Sequence, residues 1–104
     1  MADMSEPSDA ELHATVDVLK AIGSPVRLAI VLQLAKEPRC VHDLVEAIGA
    51  SQPVVSQHLR VLRAMRLVTG TRRGNEVVYS LDDEHVARIA QDALRHVQEG
   101  SDRS

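Results

Sequence analysis

Four side chains near the C-terminus have the types and spacing of metal ligands. Asp83 and His85 stand at one end of a short segment, and His96 and Glu99 at the other. Carboxylate oxygens and imidazole nitrogens are ordinary donors to zinc. His96 and Glu99 are i, i+3 neighbours, so on a helix they converge. His85 and His96 lie eleven residues apart, which is about three helical turns, so both point to nearly the same side. That spacing also separates them by about 16 Å along a helix axis. Zinc holds nitrogen ligands at about 2.0–2.1 Å, so one helix cannot bring both histidines to one ion. Two copies laid antiparallel can, with Asp83 and His85 of one meeting His96 and Glu99 of the other. Twofold symmetry then makes a pair of equivalent sites. Asp83 and His85 would diverge inside a helix, so Asp83 is expected at the helix end, outside regular geometry. Mixed nitrogen and oxygen ligation suits tetrahedral Zn(II), with Co(II) as a substitute, whereas nickel usually takes more ligands. One histidine and one acid on a terminal helix would read as a solvated face. A complete donor set with a self-consistent dimer geometry reads as a metal site.

A second set of side chains suits nucleic acid. The formal net charge is −3, which at first argues against a polyanionic partner. The distribution reverses that argument. From Ala47 to Asn75 there is no Asp or Glu, while Arg60, Arg63, Arg66, Arg72 and Arg73 all fall in that window. The local patch, not the total charge, decides a footprint on DNA. Ser51, Gln52, Ser56, Gln57 and His58 fall near the start of a predicted helix, where a recognition helix meets base edges. Gln pairs with adenine, and Ser serves several bases. Arg60 and Arg63 are placed for phosphates, which supply most of the affinity. Arg72, Arg73 and Asn75 make the tip of a predicted hairpin basic. His58 also fits an ordinary exposed helical histidine.

The elements that must position these groups follow from caps and periodicity. Ser8 or Asp9 caps a first helix to about Ile22, with Leu12, Val16 and Leu19 as its apolar stripe. Ser24-Pro25 opens a second, which Pro38 closes. A short third helix fits Val41 to Ile48, ended by Gly49. Ser51-Gln52-Pro53 opens a fourth to about Arg66, with Val54, Val55, Leu59, Leu62 and Met65 on its apolar face. Strands are expected near Leu67–Thr71 and Glu76–Leu81, joined by Arg72-Arg73-Gly74-Asn75. Asp82 or Asp83 caps a last helix from about Glu84 to Gln98. The expected fold is mainly α with a two-stranded β-hairpin wing, a winged helix-turn-helix dimerised through its terminal helices. Residues 1–8 and 100–104 read as tails around a single domain, 9–99. With 104 residues one domain is natural, and dimerisation would add buried area to a modest core. Tyr79 is the only aromatic residue, so that core must be aliphatic. Cys40 is the only cysteine, which excludes an internal disulfide. The polar, acidic start is unlike a secretory signal, and apolar runs fall short of a membrane span, so the cytoplasm is the expected location.

The residues resemble the ArsR/SmtB family of metal-responsive repressors over about Leu12 to Glu99. Leu19-Lys20-Ala21-Ile22-Gly23-Ser24-Pro25-Val26-Arg27 is similar to the start of that family's second helix. Val54-Val55-Ser56-Gln57-His58-Leu59-Arg60-Val61-Leu62 is similar to its recognition helix. Asp83, His85, His96 and Glu99 match the last-helix site of its zinc sensors. The resemblance implies a homodimer on an imperfect palindrome in promoter DNA, released when metal binds. It also implies a second site type on the third helix. Cys40 and Asp43 match two of its positions, and His13 is the available donor in the N-terminal arm. No Cys-x-Cys pair is present, and Cys40 reads more readily as a small buried hydrophobe. Other readings are a regulator whose metal only staples the dimer, and a helical protein-interaction module without a DNA role. No glycine-rich phosphate loop or partnered nucleophile suggests an enzyme.

Overall fold

The computed structural model describes residues 5–102. Five helices and three strands follow one another as α1 (Asp9–Ile22), α2 (Pro25–Lys36), β1 (Arg39–Cys40), α3 (Val41–Ile48), α4 (Gln52–Ala64), β2 (Val68–Arg73), β3 (Glu76–Leu81) and α5 (Glu84–Asp102). Polar caps set most helix starts. Ser8 and Glu11 form a reciprocal capping box on α1, with bonds of 2.9 and 3.1 Å. Ser24 caps α2 with Pro25 in its first turn. Ser51 caps α4, accepting from the Val54 amide. Asp83 accepts from the Val86 amide at 3.1 Å and so caps α5. Gly49, at φ 81°, ends α3 in the left-handed conformation that opens the turn to α4.

The core is aliphatic, as the composition requires. Ile30, Val31 and Leu34 of α2 meet Leu44 of α3, Val55, Leu59 and Leu62 of α4, Leu67 and Val68, and Val86 and Ala90 of α5. Helix α2 is the centre of the packing, touching α1, α3, α4, α5 and β3. The sheet has strand order β1-β3-β2, all antiparallel. The expected two-stranded wing is therefore extended by β1, which pairs Arg39 with Tyr79 and Cys40 with Val78.

Several boundaries differ from expectation. Helix α4 stops at Ala64 rather than Arg66. The Arg66 amide bonds to Arg63 carbonyl and the Leu67 amide to Leu62 carbonyl, both at 2.9 Å. This is a Schellman closure, with buried Leu62 and Leu67 as its apolar contact. Its left-handed position, usually glycine, is Arg66 at φ 60°. The carbonyl of Leu67 accepts the Asp82 amide at 2.9 Å, which fastens the base of the hairpin. Strand β2 runs on through Arg72 and Arg73, so the turn is Gly74-Asn75 alone. Gly74 takes φ 63°, as the first position of a type II′ hairpin turn favours. Helix α5 continues to Asp102, beyond the expected Gln98 and into the segment read as a tail.

The terminal helices bury little within one chain. On α1, Leu12, Val16 and Leu19 are 50%, 45% and 51% exposed, and the helix buries only Ala21 and Ile22. On α5, Val86 and Ala90 enter the core while Ile89, Leu94 and Val97 remain at the surface.

Candidate functional site

The buried stripe of Val55, Leu59 and Leu62 fixes the roll of α4. Gln57 and Arg60 then face solvent. Ser56 and Arg63, seven residues apart, lie on the flank facing the sheet. With Arg60, Ala64 and Tyr79 they line a hollow of about 500 Å³ between α4 and the wing. The Arg63 guanidinium carbon sits 6.0 Å from the centroid of the Tyr79 ring. Gln52, Arg72, Arg73 and Asn75 are exposed. Ser51 is exposed too, but its hydroxyl accepts the Val54 amide at 3.4 Å, so its first role is the cap. Val54, expected on the apolar face, is instead 38% exposed beside these polar groups.

His58 is not a free surface histidine. It is half-buried, and its Nδ1 lies 3.1 Å from Arg27 Nη1. Arg27 Nε donates to the Ala21 carbonyl at 2.6 Å. One guanidinium thus ties the end of α1 and the start of α2 to α4. Arg27 and Tyr79 are functional neighbours that sequence reasoning missed. From sequence, Arg27 reads as part of a helix start and Tyr79 as the lone aromatic residue.

The donors on α5 fall into two groups. Asp83 lies outside the helix, as the cap, and its Oδ1 is 3.4 Å from His85 Nδ1. The expectation that Asp83 escapes regular helix geometry, and so stays beside His85, matches this arrangement. His96 and Glu99 are exposed farther along the same helix. Among the described residues no three His, Cys, Asp or Glu side chains converge within one chain. The donor chemistry fits zinc, and each end of α5 carries two of the four expected donors.

The alternative set of Cys40, Asp43 and His13 is not assembled in the chain. His13 is exposed on α1, with Nδ1 2.9 Å from the Asp9 carbonyl. Cys40 is half-buried ahead of α3. The nearby Asp43 backbone N–H favours its thiolate. Partial burial, the Asp43 carboxylate and Glu76 outweigh that and hold the thiol above its ordinary pKa. His42 pairs instead with Glu46 at 3.5 Å on the exposed face of α3.

A short helix, a glycine-bearing turn, a polar second helix and a basic hairpin define the winged helix-turn-helix class, and the chain spans just under two thirds of the first curated relative it matches. Residues 24–69 match the family model described as bacterial regulatory protein, arsR family. The chain is 52% identical over 88 residues to the transcriptional repressor SmtB of Mycobacterium tuberculosis, covering 85% of this chain and 65% of that protein. It is 47% identical over 93 residues to the transcriptional regulator NmtR of the same species, covering 88% of this chain and 78% of that protein. Its fold superimposes on a homodimeric winged helix-turn-helix domain from Mycobacterium bovis, a possible ArsR-family regulator, with a TM-score of 0.81. That pair is 29% identical, over 97% of this chain and 96% of the other. The chain belongs to the ArsR family of bacterial regulatory proteins. Its relatives are transcriptional regulators and not enzymes. Among the described residues, no single helix is long and apolar enough to cross a membrane.

Proposed function

We propose that this chain is a metal-released transcriptional repressor, which binds a palindromic operator as a homodimer and lets go when Zn(II) binds. The observation that carries this reading is the division of donors on α5. Asp83 and His85 form one half-shell, His96 and Glu99 the other, and exposed Ile89 stands between them. An antiparallel α5 pair satisfies both half-shells and covers the apolar face of α1 and α5 in the same step. The homodimeric state of the Mycobacterium bovis domain supports that assembly.

In this arrangement Gln52, Ser56 and Gln57 face base edges. Arg60, Arg63, Arg72 and Arg73, with Asn75, hold the backbone. Ser51 and His58 contribute by fixing α4. Zinc would supply a rigid cross-link between the subunits. The residues on α5 would orient it, and its coupling to DNA is of the usual allosteric size, about 1–3 kcal/mol or more. Co(II) is the expected spectroscopic substitute.

Fluorescence anisotropy of operator DNA, with chelator and then with zinc, tests this reading. Zinc should weaken binding of the unmodified protein at least fivefold and leave His96→Ala unchanged. Equal loss in His96→Ala would move the site elsewhere. Undiminished binding in zinc would reduce the metal to a structural staple or point to another inducer.

A further inference from the structure

The hollow between α4 and the wing carries an assignment beyond general DNA contact. Its walls are Ser56, Arg60, Arg63, Ala64 and Tyr79. They offer two guanidinium groups and two hydroxyls, and no carboxylate. Three other arginines each have an acid beside them. Arg39 lies 3.5 Å from Glu37, Arg88 lies 3.6 Å from Glu84, and Arg95 lies 3.4 Å from Asp92. Among the described residues Arg60 and Arg63 have no such acid, and neither do Arg27, Arg66, Arg72 and Arg73; what sets the first two apart is that they share one hollow. Asp82 borders Arg63 on its far side, across a separate hollow of about 260 Å³, without forming an ion pair.

The ring of Tyr79 is held in place by the sheet. Tyr79 pairs with Gly70 across β2 and β3. A Cβ at Gly70 would lie 3.1 Å from the ring edge, and 3.0 Å from Val77, so the ring occupies the space glycine leaves. Arg63 lies over the face of that ring. A guanidinium over an aromatic face loses little mobility when it then forms hydrogen bonds, because its plane is already set.

We infer that this cleft seats one DNA backbone phosphate per subunit, and that Tyr79 is the positioning residue that aims Arg63 at it. The inference rests on the DNA-binding reading and adds the site and the residue that sets it. The ligand chemistry is a phosphate oxyanion, and its source is the DNA backbone. Helix and wing meet at this cleft, so a phosphate there is held by both elements at once.

The first measurement is the salt dependence of operator affinity. Each phosphate contact contributes about 0.9 to the logarithmic slope. Arg63→Gln should therefore lower the slope of the dimer by about 1.8, for two clefts, and weaken binding by about tenfold or more. Tyr79→Leu should reproduce most of that loss in unmodified protein and add little in the Arg63→Gln background. Tyr79→Phe keeps the ring and should restore both affinity and slope. Additive losses in the double variant, or an unchanged slope in Arg63→Gln, would overturn the assignment. Arg63 is exposed, so that variant keeps its fold even if Tyr79→Leu does not.

The second measurement uses the ring protons of Tyr79, the only phenyl-type ring in a chain whose other aromatic rings are histidine imidazoles. They should shift on adding DNA and stay put in inorganic phosphate at matched ionic strength. Saturable shifts in inorganic phosphate alone would make this a free-oxyanion site and overturn the DNA assignment. If the unmodified protein shows no salt-dependent DNA binding, the broader reading fails first, which separates the two failures.

Discussion

Replacing Leu12 and Leu19 by alanine should break the dimer without unfolding the subunit. These side chains are 50% and 51% exposed in the single chain. Full burial of a leucine is worth about 1.5–3 kcal/mol, so about half of that remains for an interface to collect. Two positions in two symmetric copies give about 3–4 kcal/mol when shortened to alanine. That corresponds to roughly a hundred- to a thousandfold rise in the dimer dissociation constant. Sedimentation velocity over a concentration series reads the change directly. Helix content by circular dichroism should hold, because alanine is a better helix former than leucine and neither position enters the core. A dissociation constant that moves less than tenfold, with helix content intact, would show that α1 does not lie in the interface. The antiparallel α5 geometry would then need another support.

Two further outcomes are expected. Arg66→Gly removes an L side chain from the left-handed region; after glycine's own entropic cost the gain should be about 0.5–1 kcal/mol, a rise in unfolding midpoint of roughly 2–8 °C, and a fall in midpoint would mean that the Arg66 side chain stabilises the turn. Asp43→Asn lifts the charge that helps hold the Cys40 thiol above its ordinary pKa; more thiolate should then be present near neutral pH and alkylation by iodoacetamide should be severalfold faster, whereas an unchanged rate would place the cause elsewhere.

Local chemistry made the frame of the molecule legible. Ser8, Ser24-Pro25, Gly49 and Ser51 each mark a helix boundary by satisfying or replacing orphan backbone groups. The structure uses every one of them. The end of α4 was hidden because its left-handed residue is Arg66, where the usual signal is glycine. Strand β1 was hidden because two residues carry no periodicity. It exists only because β3 offers a free edge. Leu12, Val16 and Leu19 were correctly seen as a stripe, but periodicity does not say whether a stripe faces its own core or another chain. Arg27 and His58 stand thirty-one residues apart, a pairing that only the packing of α2 on α4 creates. For the proposed α5 donors, spacing alone separated the two pairs, and the cap at Asp83 keeps the first pair together.

Leu67 has a mechanical consequence. Its amide is committed to the last turn of α4 and its carbonyl to Asp82, the residue before Asp83. The recognition helix and the wing are thereby pinned at one residue. They approach a duplex as a single stiff reading head, with their mutual angle set in advance. In the proposed dimer, a ligand on α5 would have little freedom to bend that head. What it can change is how two heads are spaced and tilted across the twofold axis. In the proposed reading, operator half-sites one helical turn apart or a multiple of it would act as the ruler against which that spacing is measured.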